Sequence, residues 1–144
     1  MNPKQNTQRV VAAYAHVSVQ CGVSSASPHR LVQMLMEGAL DRIATAKGCL
    51  ERKQIAVKGQ QISMAISIVN GLRASLDLDA GQEIAHNLDD LYAYMERRLF
   101  EANLRNDSSI LDEVTGLIKQ IKDAWDAIGD QVNMPALANN AVGA

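Results

Sequence analysis

Aromatic residues are the scarcest class in this chain. Phe, Trp and Tyr make up 3% of its 144 residues, at Tyr14, Tyr92, Tyr94, Phe100 and Trp125. So thin a set offers no base-stacking platform for single-stranded nucleic acid. Excess positive charge is missing too. Fourteen Lys+Arg against sixteen Asp+Glu give a net charge of -2, without the broad basic field of a nucleic-acid binder. Cysteine occurs only at Cys21 and Cys49, with no CxxC, whereas zinc needs about four ligands in short-spaced pairs. The polar start from Met1 to Arg9 lacks the apolar core of a secretory signal, and no run approaches the ~20 apolar residues of a membrane span. These absences point to a cytoplasmic protein with reduced thiols, no membrane insertion and no nucleic-acid partner. The three prolines stand outside the long periodic stretches and leave the middle of the chain free to be helical.

What is present is helical periodicity in a chain of 15.6 kDa, the size of one domain. Ser27 followed by Pro28 reads as an N-cap and first helical position, because proline lacks the N–H that would be orphaned there. From Pro28 to about Arg52 the residues Val32, Leu35, Ala39, Ile43, Ala46 and Leu50 recur at spacings of three and four. A second stripe, from about Ile55 to Leu76, holds Ile55, Ile62, Ile66, Val69, Leu72 and Leu76. Leu78 to Gly81 reads as a turn with Gly81 in a left-handed position. A third stripe carries Ile84, Leu88, Leu91, Met95, Leu99 and Ala102, and Asp107 or Ser108 caps the next start. The fourth, about Ser109 to Ile128, aligns Leu111, Val114, Ile118, Ile121 and Trp125, with Gly129 as its C′ residue. Short connections between helices of this length favour antiparallel neighbours. The expected fold is therefore all-α, an antiparallel up-down four-helix bundle over residues 25–129. It is flanked by an N-terminal segment, residues 1–24, with an apolar patch, and by a tail, residues 130–144, uncharged after Asp130 and expected to be disordered.

Catalytic patterns are thin. Glu83-Ile84-Ala85-His86 is half of a di-iron carboxylate signature, but the second motif and the further glutamates are missing, and both residues lie off the apolar stripe. Ser24, Ser25 and Ser27 stand near His29, yet Ser27 is already a cap, and His16 has no assignable partner. No Gly-rich phosphate loop occurs. The sequence thus points to no enzyme, with no catalytic, metal-binding or cofactor-binding residues. Surface is what remains. Leu31, Met36, Leu40 and Cys49 widen the first stripe to about half the circumference, and Val57 and Ile68 widen the second. Either a small bundle packs wide faces, or an apolar groove between helices receives a partner helix. Periodicity leaves both open. Leu40, Ile68, Leu72 and Tyr94, at or beyond the stripe edges, are the candidate groove residues.

Several strings, taken in order, resemble one family. Ala13-Tyr14-Ala15-His16-Val17 precedes the first helix, and Ser27-Pro28-His29-Arg30-Leu31-Val32-Gln33-Met34-Leu35 opens it. Asn87-Leu88-Asp89-Asp90-Leu91-Tyr92-Ala93-Tyr94-Met95, Ala102-Asn103-Leu104-Arg105-Asn106-Asp107 and Ala124-Trp125 follow. From about Val10 to Ile128 the chain is similar to the flagellin-specific export chaperones, the FliS family. Met36 stands where an aromatic is common in that family. The resemblance implies a helical bundle that binds the disordered C-terminal segment of flagellin in the cytoplasm, prevents premature polymerisation, and delivers it to the type III export apparatus. It also implies that the N-terminal stretch, through Val11 and Tyr14, covers apolar surface before the client arrives and contacts the cytoplasmic domain of the export-gate protein. The alternative reading is a general four-helix adaptor that binds another amphipathic helix.

Overall fold

The computed structural model describes residues 26–133, with side chains as far as Gly129; Val11, Tyr14 and Cys21 lie outside the described residues. Four helices follow one another: α1 (Pro28–Glu51), α2 (Ile55–Ala74), α3 (Leu78–Arg105) and α4 (Ser108–Asn133). Connections of two or three residues force each helix to reverse beside its predecessor. α1 packs on α2 and α4, α3 packs on the same two, and neither diagonal pair of described helices makes backbone contact. The result is the expected antiparallel ring. The α1–α2 pairing is the most extensive, and α4 is held more sparingly by both its neighbours.

Each boundary has a local cause. Ser27 sits at ψ 162° with its hydroxyl accepting from Arg30 N–H at 3.1 Å, ahead of Pro28. Lys53, at φ 61°, turns the chain into α2, and Gln54 N–H closes the turn on Cys49 O at 2.8 Å. α3 ends at Asn106 in the left-handed region, φ 52°. Asp107 then caps α4, accepting from the Ser109 N–H at 2.9 Å and hydroxyl at 2.6 Å. Those two hydrogen bonds hold its carboxyl below the usual carboxylate range.

Two expected turns fall inside helices. Leu78 to Gly81 is the first turn of α3, capped by the Asp77 carboxylate on Ala80 N–H at 3.0 Å. The left-handed residue is Gln82, φ 48° and ψ -129°, and not Gly81, where a Cβ would come within 2.5 Å of the Ala85 Cβ. Crowding, not turn geometry, calls for glycine there. Gly129 lies within α4, which runs on to Asn133, so it is no C′ residue.

The core is one cluster fed by all four helices, with Leu35, Met36, Ile43, Ile62, Leu72, Met95, Leu99, Leu111 and Ile118 all but sealed from water. Leu31, Met36 and Cys49, which widen the first stripe, are all buried; most of that width is bundle packing. Lys58 is the one buried charge among the described residues, 3% exposed. Its ammonium donates to Asn103 O at 2.9 Å and Asn106 Oδ1 at 2.5 Å. It thereby ties the first turn of α2 to the carbonyl end of α3, where the helix dipole favours a cation. Asn106 thus closes α3 through its N–H on Ala102 O and receives Lys58, while Asp107 caps α4.

Candidate functional site

At the end of the bundle where α1 and α3 begin and α2 and α4 finish, the four helices splay around a cavity of about 630 Å³. Its walls come from Leu31, Val32, Leu35 and Met36 of α1, Leu72 of α2, Ile84, Ala85, Leu88 and Tyr92 of α3, and Ile121, Trp125 and Ile128 of α4. Few polar groups break this lining. Ser75 directs its hydroxyl to Leu72 O at 2.6 Å, and Asp77 caps α3. Burial pushes the Tyr92 phenol up to about 12, so it stays neutral. The volume lies within the range of ligand pockets, roughly 300–1,000 Å³. Such walls hydrogen-bond poorly with water and suit apolar side chains of an incoming segment.

One wall is a clasp between α1 and α4. The His29 ring stacks on Trp125, centroids 4.6 Å apart and 11° between planes, while Trp125 Nε1–H donates to His29 O at 3.0 Å. Gly129 comes so close that a Cβ there would overlap the imidazole. His29 Nε2 is sealed against it without a hydrogen-bond partner. The first-turn histidine is therefore part of the wall, and Trp125 both packs and anchors. The signal for this was the glycine four residues after Trp125, read as a helix end.

Ile84 departs furthest from the stripe it was assigned to. It is 74% exposed at the cavity edge, because the buried line of α3 runs through Ala85, Tyr92, Met95, Leu99 and Ala102, one position on from Ile84. Leu78 and Ile128 are exposed at the same end. Glu83 and His86 are both exposed, and no group of three or more ligating side chains that could hold a metal occurs among the described residues.

The four groove candidates do not converge. Leu72 lines the cavity and is 1% exposed, a core residue facing inward. Leu40 packs on the core one heptad from both Gln33 and Lys47, which reach across to α4 at Asp126 (2.6 Å) and Asp112 (2.8 Å). It therefore sits on the α1–α4 seam. Ile68 lies one heptad beyond Gln61, which accepts from Arg42 of α1 at 3.2 Å, so it belongs to the α1–α2 seam. Tyr94 donates its phenol to Glu113 Oε2 at 2.6 Å, and Arg98 adds Nε–H to Oε1 at 2.8 Å, both across the α3–α4 seam. These bonds, the tyrosine's first, hold the Glu113 carboxyl below its ordinary range.

Residues 10–132 match the family model described as Flagellar protein FliS. The chain belongs to the FliS family. It is 51% identical over 120 residues to the Flagellar secretion chaperone FliSB of Pseudomonas aeruginosa, covering 83% of this chain and 95% of that one. To the Flagellar secretion chaperone FliS of Salmonella typhimurium it is 48% identical over 124 residues, covering 85% and 92%. The FliS of Bacillus subtilis is 33% identical over 106 residues, covering 74% and 78%. FliS membership makes this a flagellar secretion chaperone, a non-catalytic role, and favours that reading over a general adaptor. Among the described residues no helix is long and apolar enough to cross a membrane.

Proposed function

We propose that this chain binds the disordered C-terminal segment of flagellin in the cytoplasm, keeps it from polymerising, and delivers it to the cytoplasmic domain of the export-gate protein. The apolar cavity carries the reading. A flagellin tail presents the apolar residues that otherwise zip with other flagellins, and the cavity competes by burying them at about 25 cal/mol per Å². Ordering the client subtracts several kcal/mol from that gain. Binding is then firm enough to hold the subunit and weak enough to release it at the gate, with no cofactor.

Residues 1–24 serve in this account as a lid on the 25–129 bundle, through Val11 and Tyr14. The segment enters α1 at Pro28, on the cavity rim. It carries Lys4 and Arg9 and no acidic residue. Asp77, Asp79 and Glu83, at the mouth or on the turns beside it, join no ion pair among the described residues, which favours a basic segment over the opening.

Calorimetric titration with roughly the last 40–50 residues of the cognate flagellin should give saturable one-to-one binding with a negative heat-capacity change. No heat at several temperatures, with both components intact, would refute the reading. Removing residues 1–14 should tighten tail binding several-fold, because a lid lowers apparent affinity by the fraction of open molecules. Unchanged affinity and unchanged export would remove the lid from the account.

A further inference from the structure

The far end of the bundle carries a second apolar surface that neither the core nor the cavity uses. Phe100 and Leu104, one turn apart on the outer side of α3, are 63% and 70% exposed. The Lys58 bonds to Asn103 and Asn106 set the start of α2 against this end of α3, bringing Ile55, 47% exposed, to the same seam. Ile84 on the cavity edge precedes Phe100 by sixteen residues of α3, about 24 Å at 1.5 Å per residue. The two surfaces are separate.

The charge at this end that joins no ion pair among the described residues is mainly positive, Arg97, Arg52 and Lys53 against Glu51 and the capping Asp107. Arg97 is exposed, stands 6.0 Å from the Tyr94 ring centroid, and joins no ion pair among the described residues. Arg105 stands two turns further along the same ridge and is shared with Glu101, which lies between the two arginines, at 3.3 Å. Arg52 bonds only Gln54 and Cys49, and Lys53 is exposed at the tip of the adjoining loop.

Three occupants can be weighed on this chemistry. Residues 1–25 contain Lys4 and Arg9 and no carboxylate, the wrong sign for this rim. Residues 134–144 hold no carboxylate side chain to meet this rim. A second copy meeting this surface about a two-fold axis would bring one mainly positive rim against an identical one. We infer that this end of the α2–α3 face docks an acidic amphipathic helix of another protein, apolar side chains on Phe100, Leu104 and Ile55 and carboxylates toward Arg97 and Arg105, while the cavity stays free for its client. An i, i+4 pair such as Phe100 and Leu104 matches the spacing of anchors on such a helix.

The test uses the full chain and two synthetic helix-forming peptides of about 18 residues, both with Leu at i, i+3, i+4 and i+7, one with Glu and one with Lys elsewhere. The Glu peptide should bind at least about tenfold tighter than the Lys peptide, with the preference falling as salt rises. Phe100→Ser with Leu104→Ser, at exposed positions the fold does not need, should weaken it about tenfold or more, and Arg97→Glu should erode the preference. Ile84→Glu at the cavity edge should leave it unchanged. Equal binding of the two peptides, or loss of Glu-peptide binding in Ile84→Glu, would overturn the inference. So would a patch variant that weakens flagellin-tail binding, or a concentration-dependent dimer that it abolishes; these assign the surface to the client or to a second copy. Because the peptide titration contains no flagellin, its failure is distinct from failure of the proposed function.

Discussion

Gly129 shows how one missing methyl group shapes a binding surface. The imidazole of His29 occupies the space a Cβ would need, and that contact lets α4 close on α1 with Trp125 stacked behind it. Gly129→Ala must push the ring aside or move α4, an overpacking cost of about 1–3 kcal/mol. The single tryptophan reports it. Lower thermal stability together with a changed Trp125 emission is expected, and an unchanged spectrum would mean the clasp is not held in solution. Lys58 is the second such residue. Lys58→Met keeps the bulk but leaves Asn103 O and Asn106 Oδ1 without their donor, at about 1–3 kcal/mol by chemical denaturation. Neither role was legible beforehand: the glycine looked like a helix end, and nothing in the spacing singled out the lysine.

At the scale of elements, caps and seams behave as separable parts. Ser27→Ala removes the single side-chain cap of α1 and should cost about 1 kcal/mol, read as a lower midpoint in urea unfolding. The seams impose a pH dependence of definite sign. Asp107, Glu113 and Asp126 all titrate below their ordinary values, held chiefly by Ser109, Tyr94 and Lys122 respectively. Each therefore binds its proton more readily in the unfolded chain. Their stabilisation is complete above the unfolded values, near pH 4–4.5, and disappears as pH falls through the lower folded ones. Melting temperature should thus be level with respect to these groups from pH 5 to 7 and fall below about pH 4. An Asp107→Asn, Glu113→Gln double variant should flatten that fall. The stripes on α1 and α4, and that on α2 from Ile62 onward, could be read from spacing alone, because a 3.6-residue period needs nothing but the sequence to be seen; Ile55, assigned to the α2 stripe, is 47% exposed. The stripe on α3 begins at Ala85 and not at Ile84, and a small alanine beside an isoleucine gives spacing little to distinguish them by.

For the molecule as a whole, burial separates stability from binding. Leu72 faces the core and the cavity together, so Leu72→Ala should cost about 2–5 kcal/mol and weaken client binding partly through lost stability. Ile84 stands in water at the mouth, so Ile84→Glu should leave the melting temperature within about 2 °C. On the proposed function it weakens flagellin-tail binding about tenfold or more in the same calorimeter. If Ile84→Glu binds normally, the cavity is not the client's entry.

Apolar spacing at three and four, the Ser27-Pro28 start, the Asp107 cap and the short connections are enough to specify four antiparallel helices, because each is a short-range rule the chain obeys locally. The ordered family strings were legible for a similar reason, as a pattern of residues along the chain. Where the helices part was not. The cavity is lined by all four helices, and its α1–α4 wall closes where His29 meets Trp125 and Gly129, contacts between residues distant in sequence. The groove candidates lay at stripe edges, and a stripe edge meets whichever neighbour packing supplies: Leu40 met α4, Ile68 the α1 side, Tyr94 a glutamate. Periodicity determines which side of a helix is apolar. Only the packed ring decides which part of that side stays open to a partner.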